Sequence, residues 1–249
     1  MQVSRILGLD VAGVDQQQLL RQVHDWVSFG HPGSGLVHTL SYVNAHCLNV
    51  VSQDRNYFEA LRSFDLIYPD GEGAVWASRW LGMGPLHKIT GADWIFDFCE
   101  LAQKEGWGVY VMAGKPGVAQ TACANLLKQY PSLCILGIRD GYFREMDESR
   151  ILREIEQVRP DVLFVGMGVP LQEIWITQWR NKLSVKICWA VGALFDYVAG
   201  KETRAPVWLR KHSLEWLWRM AVDPLGKWKR YLLGNPMFIV RIICQKYGI

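Results

Sequence analysis

The sequence predicts an α/β protein: a mostly parallel sheet with helices on both faces, followed by a helical C-terminal appendage. Three observations predict it. Between residues 109 and 190, short apolar runs alternate with helical stretches of about 10–12 residues. The runs are mainly apolar rather than alternating with polar residues, as in strands covered on both sides. Nearly every run leads into a glycine-containing turn, the place where open parallel sheets hold their ligands.

Taken in order, the elements are as follows. Residues 1–35 carry little pattern beyond one amphipathic helix over Gln16–Ser28, broken by Pro32-Gly-Ser-Gly35. Leu36–Val43 reads as a strand running into Asn44-Ala-His46. His46–Val51 and Arg55–Arg62 read as helices, and Asp65–Tyr68 as a strand that delivers Asp70 into a turn with Gly71 and Gly73. Ala74–Leu81 is a tryptophan-containing helix, and Gly82-Met-Gly84-Pro85 is a loop. Thr90-Gly-Ala-Asp93 starts a helix continuing over Trp94–Lys104. The regular section then places strands at Val109–Met112, Leu133–Ile138, Val162–Val165 and Val185–Ala190. Helices fall at Val118–Gln129, Asp147–Val158 and Gln172–Asn181. This pattern is Rossmann-like. After an irregular linker at Gly200–Pro206, Val207–Met220 and Leu225–Leu233 read as helices, with a third following Pro236.

Composition narrows the classes. Half of the 249 residues are hydrophobic, enough for one large core. Arg241 interrupts the apolar run Phe238–Cys244, so a spanning helix is not expected. The first ten residues hold no signal-peptide core. Cysteines 47, 99, 123, 134, 188 and 244 form no C-x-x-C pair and read as reduced core residues of a cytosolic protein. The net charge of +3 conceals an asymmetry: residues 200–249 hold ten of the 27 Lys/Arg, three of the 24 Asp/Glu and four of the twelve tryptophans. Such a tail suits an anionic surface. The expected division is therefore an α/β catalytic domain over 1–199 and a basic, tryptophan-rich membrane-docking appendage over 200–249.

The candidate chemistry lies in the turns. Asp70 has two readings: a cap for the following helix, or a reactive carboxylate at the sheet edge. Gly166-Met-Gly168 follows a strand, but Leu171 occupies the third glycine position of a dinucleotide fingerprint, so a nicotinamide cofactor is not expected. Gln172 and Glu173 read either as ordinary helix-start residues or as ligand contacts. Ala113-Gly-Lys-Pro-Gly117 could cradle a phosphate through backbone amides and Lys115, although it lacks P-loop spacing. There is no Asp-x-Asp, and Asp70-Gly-Glu72 is the only loop pair of that form, so no metal is expected. The six histidines show no ligand spacing, and no G-x-S-x-G elbow is present.

In this order the motifs resemble glycosyltransferase family 26, the WecG/TagA/CpsF family. The match runs over residues 36–233. It rests on Asn44, Asp70-Gly71, Gly91-x-Asp93, Gly114-Lys-Pro-Gly117, Asp140-Gly-Tyr-Phe143 and Gly166-Met-Gly-Val-Pro-Leu-Gln-Glu173. It continues through Val191-Gly192, Phe195-Asp196, Ala199-Gly200, Arg204-Ala-Pro206, Leu214-Glu-Trp216, Arg219, Pro224 and Arg230-Tyr231. Two positions depart from the family: Leu171 stands where lysine is usual, and Tyr42 where threonine is common. The resemblance implies an inverting, metal- and cofactor-independent transfer from a UDP-sugar to a polyprenyl-pyrophosphate-linked saccharide in bacterial surface-glycan or exopolysaccharide synthesis. Asp70 matches the base, with Asn44 and Gln172 beside it. Donor contacts would come from Gly71, Gly91, Asp93, Gly114, Lys115, Gly117, Asp140, Tyr142, Gly166, Gly168, Gln172, Glu173, Arg204 and Arg219. The enzyme would sit peripherally on the cytoplasmic face of the inner membrane. It would have no nucleic-acid partner, and a homo-oligomer is compatible with the sequence. The competing reading is a catalytically silent, membrane-docked subunit of a glycan assembly complex; acceptor-dependent UDP release separates the two.

Overall fold

The computed structural model describes residues 2–29 and 37–249. The break at Pro32–Gly35 and the expected strand start at Leu36 lie outside them. The chain opens with a hairpin not expected from the sequence. Strands β1 (Val3–Ile6) and β2 (Leu9–Ala12) pair antiparallel through Leu7-Gly8, whose φ angles are 48° and 83°. Positive φ at both central residues is the type I′ geometry, whose twist suits a tight hairpin. Leucine is an unusual residue in that conformation, so the turn left no readable signal.

Helix α1 (Gln16–Phe29) leads to β3 (His38–Val43), and α2 (Ala45–Val51) and α3 (Arg55–Arg62) lead to β4 (Leu66–Pro69). Then follow α4 (Glu72–Trp80), α5 (Gly91–Glu105), β5 (Gly108–Ala113), α6 (Val118–Gln129) and β6 (Cys134–Arg139). The section closes with α7 (Glu148–Val158), β7 (Val162–Gly166), α8 (Leu171–Trp179), β8 (Ile187–Ala190) and a short α9 (Leu194–Val198). Six strands form one wholly parallel sheet in the order β4–β3–β8–β7–β5–β6. The α/β expectation holds, and every expected strand within the described residues is present.

Period-two alternation divides the core into two layers. Val109, Val111 and Ala113 face one layer with α1, α5, α6 and α9. Tyr110 and Met112 face the other with α2, α3, α4, α7 and α8. In the first layer the Trp189 ring stacks on Trp94 at 3.9 Å between centroids, with Phe98 and Phe164 set against them. Strand β7 is buried at every position, whereas the edge strand β6 is not fully buried at any.

The tail differs from its expected form. The helix expected over Val207–Met220 is two, α10 (Val207–Lys211) and α11 (Glu215–Val222), separated where Ser213 takes a φ of 62°. Beyond Asp223, whose carboxylate caps the next turn through Gly226 N–H at 2.9 Å, α12 (Pro224–Trp228) passes through a π turn at Lys229–Leu233 into α13 (Gly234–Tyr247). Pro236 does not begin a separate helix. It lies inside the continuous helical run 224–247, just past the π turn. Phe238 and Ile242 of α13 are buried in the second core layer, and Asn49 Nδ2 donates to Gly234 O at 2.7 Å. The last helix thus shares the core of the first 199 residues, while α10, α11 and α12 arch over one end of the sheet edge.

Candidate active site

Val43 of β3 is the register partner of Pro69 of β4. The next residue on each strand, Asn44 and Asp70, therefore emerges side by side at the carboxyl edge, and Asp70 N–H donates to Val43 O at 2.8 Å. Asn44 does two things at once. Its Oδ1 caps α2 by accepting the N–H groups of His46 and Cys47 at 3.1 and 3.2 Å, which leaves Nδ2 to donate to Asp70 Oδ2 at 3.3 Å. The capping reading of Asp70 is corrected. Gly71, at a φ of 92°, is the cap residue of α4, and no side chain bonds there. Nothing lies within 4 Å of a Cβ built on Gly71, so it is the positive φ that calls for glycine. The Asp70 carboxylate is thereby left free for a ligand.

Asp70 borders a cavity of about 400 Å³ walled by the first domain on one side and the tail on the other. Asn44, His46, Gly71, Trp76 and Lys88 contribute from below; Glu215, Trp216, Arg219, Arg230, Tyr231 and Phe238 close it from above. Burial pushes the Asp70 carboxyl above its ordinary value; Arg219 and then the Asn44 hydrogen bond oppose that shift, and Arg230 acts in the same sense. His46 is pushed down to about 4 by burial and the nearby Arg230, so its imidazole is neutral at pH 7 and a weak base. The other carboxylates lining the cavity, Glu72 and Glu215, are paired with Lys88 at 3.2 Å and with Arg219 at 3.1 Å, which leaves Asp70 as its acid without an ion pair among the described residues. Trp76, Lys88 and Phe238 gave no readable signal in the sequence: Trp76 is one of two tryptophans on α4, and Phe238 is 168 residues from Asp70.

The remaining expected residues fall into two further groups. Gly114 N–H donates to Gly166 O at 2.9 Å, and Gly141 N–H to Gly114 O at 2.8 Å, fastening the turns after β5, β6 and β7 together. A side chain on Gly141 would stand 2.7 Å from Gly166 O, and one on Gly166 2.7 Å from the Ala113 Cβ, so close approach explains both glycines. Gly117 N–H donates to Asp140 Oδ1 at 3.3 Å, while Lys115 and Tyr142 are exposed beside them. Gly168 lies against Tyr142, and a hollow of about 380 Å³ borders Gln120, Arg139, Asp140 and Tyr142. The third group is on the tail side. Asp93, near Gly91 at the start of α5, pairs with Arg204 at 3.0 Å and Arg210 at 3.5 Å. Arg204 and Arg219 both stand over the Tyr197 ring, at 5.9 and 5.2 Å.

Gln172 and Glu173 belong to none of these walls, because both are fully buried. Gln172 Oε1 accepts Gly192 N–H at 2.9 Å, its Nε2 donates to Glu173 Oε1 at 2.7 Å, and Ser41 Oγ donates to the same oxygen at 3.1 Å. Together they tie β3, α8 and the turn after β8 beneath the ligand edge. Glu173 is pushed up to about 7 by burial, against the hydrogen bonds from Gln172, its own backbone and Ser41.

A free carboxylate beside a cation-rimmed cavity, on the carboxyl edge of a parallel α/β sheet whose other strand ends are glycine turns, is the arrangement of an α/β enzyme with its ligand site at the strand ends. The family follows from comparison with known proteins. Residues 4–248 match the family described as glycosyl transferase WecG/TagA/CpsF, and the chain belongs to that family. It is similar to an N-acetylglucosaminyldiphosphoundecaprenol N-acetyl-β-D-mannosaminyltransferase of Bacillus subtilis (strain 168), 30% identical over 207 residues, or 83% of this chain and 79% of the relative. It is also similar to proteins of the same description from Staphylococcus aureus strains MRSA252 and NCTC 8325, 28% and 27% identical over 246 residues, covering 98% of this chain and 93% of each relative. The protein is a glycosyltransferase, and the silent-subunit reading is not favoured.

Proposed function

We propose that the protein transfers a sugar, with inversion, from a UDP-sugar to a saccharide carried on a polyprenyl diphosphate. Asp70 is the base that takes the proton of the acceptor hydroxyl as that oxygen attacks the anomeric carbon. The observation that carries this reading is the Asp70 carboxylate, oriented by Asn44 and facing a cavity that Arg219 and Arg230 rim. A positioned base of this kind contributes ~10²–10⁴-fold. The UDP end of the donor reaches toward the glycine turns after β5 and β7, with their backbone amides, the α6 N-terminus and Lys115, while its β-phosphate, one oxygen away from the anomeric carbon, stays on the Asp70 side. The acceptor enters the cavity from the tail side, with its diphosphate toward Arg219 and Arg230 and its chain along Trp76 and Phe238. The relatives named above act, by their descriptions, on a diphosphoundecaprenol-linked sugar, which supports an acceptor of that class.

No described helix is long and apolar enough to cross a membrane. Leu225, Trp228 and Leu232 are nonetheless exposed on the tail, beside Lys229. This face would rest peripherally on an anionic membrane, the cytoplasmic leaflet in a bacterium, each Lys or Arg near the surface contributing about 1 kcal/mol. The test is UDP release by the purified protein given a panel of UDP-sugars, with and without a short-chain polyprenyl-diphosphate saccharide. Acceptor-dependent release is expected, and its absence with every donor would refute the assignment.

A further inference from the structure

Arg230 is the one cation of the Asp70 cavity left without an ion pair among the described residues, since Lys88 is held by Glu72 at 3.2 Å and Arg219 by Glu215 at 3.1 Å. His46, which lines the same cavity from below, is also unengaged. Its backbone N–H goes to Asn44 at 3.1 Å, but its ring nitrogens have no hydrogen-bond partner among the described residues. The two side chains feel each other: burial, and after it Arg230, holds the His46 imidazole down at about 4. The cavity thus sets an unneutralised cation beside an imidazole that cannot charge, a balance that an anion would reverse. The paired negative charges of a diphosphate diester would neutralise Arg230 and favour the imidazolium, which donates from both nitrogens.

What adjoins the pair narrows the anion. Trp76 and Phe238 of the same cavity meet edge to face, their ring centroids 6.1 Å apart, and Ile239 beside them is 43% exposed. The cavity therefore joins its charged groups to an apolar strip that leads out along α13. A diphosphate bonded to a hydrocarbon chain matches both parts. A UDP-sugar, polar at both ends of its diphosphate, matches only the first.

We propose that His46 and Arg230 together hold the acceptor's diphosphate, and that His46 takes up a proton as the diphosphate seats. The inference rests on the acceptor placement given above and adds to it a binding residue and a pH dependence. The other titratable groups facing His46 across the cavity are Asp70, Glu72, Lys88, Glu215, Arg219 and Tyr231, and α13, packed on α2, adds no charged group to it among the described residues. The two glutamates are ion-paired, and a diphosphate diester does not titrate near neutrality, so Asp70 is the rival source of a pH effect.

The test is titration calorimetry of a short-chain polyprenyl-diphosphate N-acetylglucosamine, without donor, in two buffers of different ionisation enthalpy. Wild type, Asp70→Asn and His46→Gln are compared between pH 6 and 8, with melting temperature as the check on folding. Wild type is expected to take up most of a proton at pH 6 and to bind about tenfold more tightly there than at pH 8. Asp70→Asn should keep both effects, and His46→Gln should lose both. Uptake that survives in His46→Gln or disappears in Asp70→Asn overturns the inference, as does a His46→Gln protein weakened equally at every pH, the mark of lost packing. Should His46→Gln not fold, wild type with labelled histidine decides, since the His46 ring resonances must move to imidazolium positions when the acceptor binds. UDP-glucose and UDP-N-acetylglucosamine form the second arm: proton uptake that follows them instead of the acceptor gives the pair to the donor and overturns the proposal. Failure of the acceptor analogue to bind wild type refutes the acceptor placement itself, whereas tight binding without proton uptake refutes only the role of His46.

Discussion

Replacing Asp70 with asparagine separates chemistry from folding. Asn at this position keeps the size of the side chain and can still accept the Asn44 Nδ2 hydrogen bond of 3.3 Å. It cannot take a proton. Losing a base worth ~10²–10⁴-fold raises the barrier by about 3–5 kcal/mol. Stability should move the other way or not at all. Burial raises the Asp70 pKa, so its ionised form is penalised in the folded state at neutral pH, and a neutral amide escapes that penalty. The assay is acceptor-dependent UDP release at saturating donor, alongside thermal melting. Expected are a kcat at least a hundredfold lower, a donor KM within about threefold of wild type, and a melting temperature equal or higher. Activity above about a tenth of wild type would refute Asp70 as the base. The wild-type pH profile offers a second check. Activity needs the carboxylate, so it should fall on acidification from a higher pH than an ordinary aspartate would set. Arg219 is the largest influence holding that pKa down, so Arg219→Gln should move the acid limb of the residual activity further up. An unmoved limb would remove Arg219 from the electrostatics of the base.

Other outcomes follow from the same geometry. Glu173 titrates at about 7 in the fold against a usual value of 4.5, so the folded state binds more protons than the unfolded state between those values. Stability should therefore decline as pH rises through that window, by roughly 3 kcal/mol in total, and Glu173→Gln should flatten the decline in denaturant melts at pH 5.5 and 8. Parallel curves for the two proteins would locate the effect elsewhere. Leu225 is 90% exposed and Leu232 54%, so the double variant Leu225→Glu, Leu232→Glu should keep its melting temperature yet bind anionic liposomes at least tenfold more weakly; unchanged binding would exclude this face as the docking surface. Transfer should persist in EDTA, the expectation from a sequence without Asp-x-Asp; complete loss restored by Mg²⁺ or Mn²⁺ would recast Asp70 and Glu72 as ligands.

The sheet was legible because parallel strands buried on both faces must be apolar at successive positions, and Val109–Met112 and Val162–Val165 are. Asp70 was legible for a related reason: a strand, a single acid and a glycine adjoin in the sequence. Its freedom from capping was not, since that depends on the φ of Gly71 and on Asn44 reaching across from the next strand. Gln172 and Glu173 show the opposite failure. Their position after a glycine turn suggests ligand contact, yet their side chains turn inward to hold Ser41 and Gly192, a direction fixed by tertiary packing. The tail was misdivided because helix propensity runs through His212–Leu214, while the break there is made by the backbone of Ser213.

The closure of α13 on the hairpin has a consequence for biosynthesis. Gln245 Oε1 accepts Leu7 N–H at 2.8 Å, and its Nε2 donates to Arg5 O at 2.9 Å, joining the first strand to a residue 240 positions further along. Contacts of such sequence separation form slowly, and only after α13 has been made. A ribosome-bound chain lacking α13 would leave the second core layer open where Phe238 and Ile242 belong, and its cavity would lack one wall. The enzyme would become competent only once α13 has docked, when the upper wall of the cavity is complete. Deletions that remove Ile242, which is fully buried, should leave a chain that chaperones and proteases recognise as unfinished.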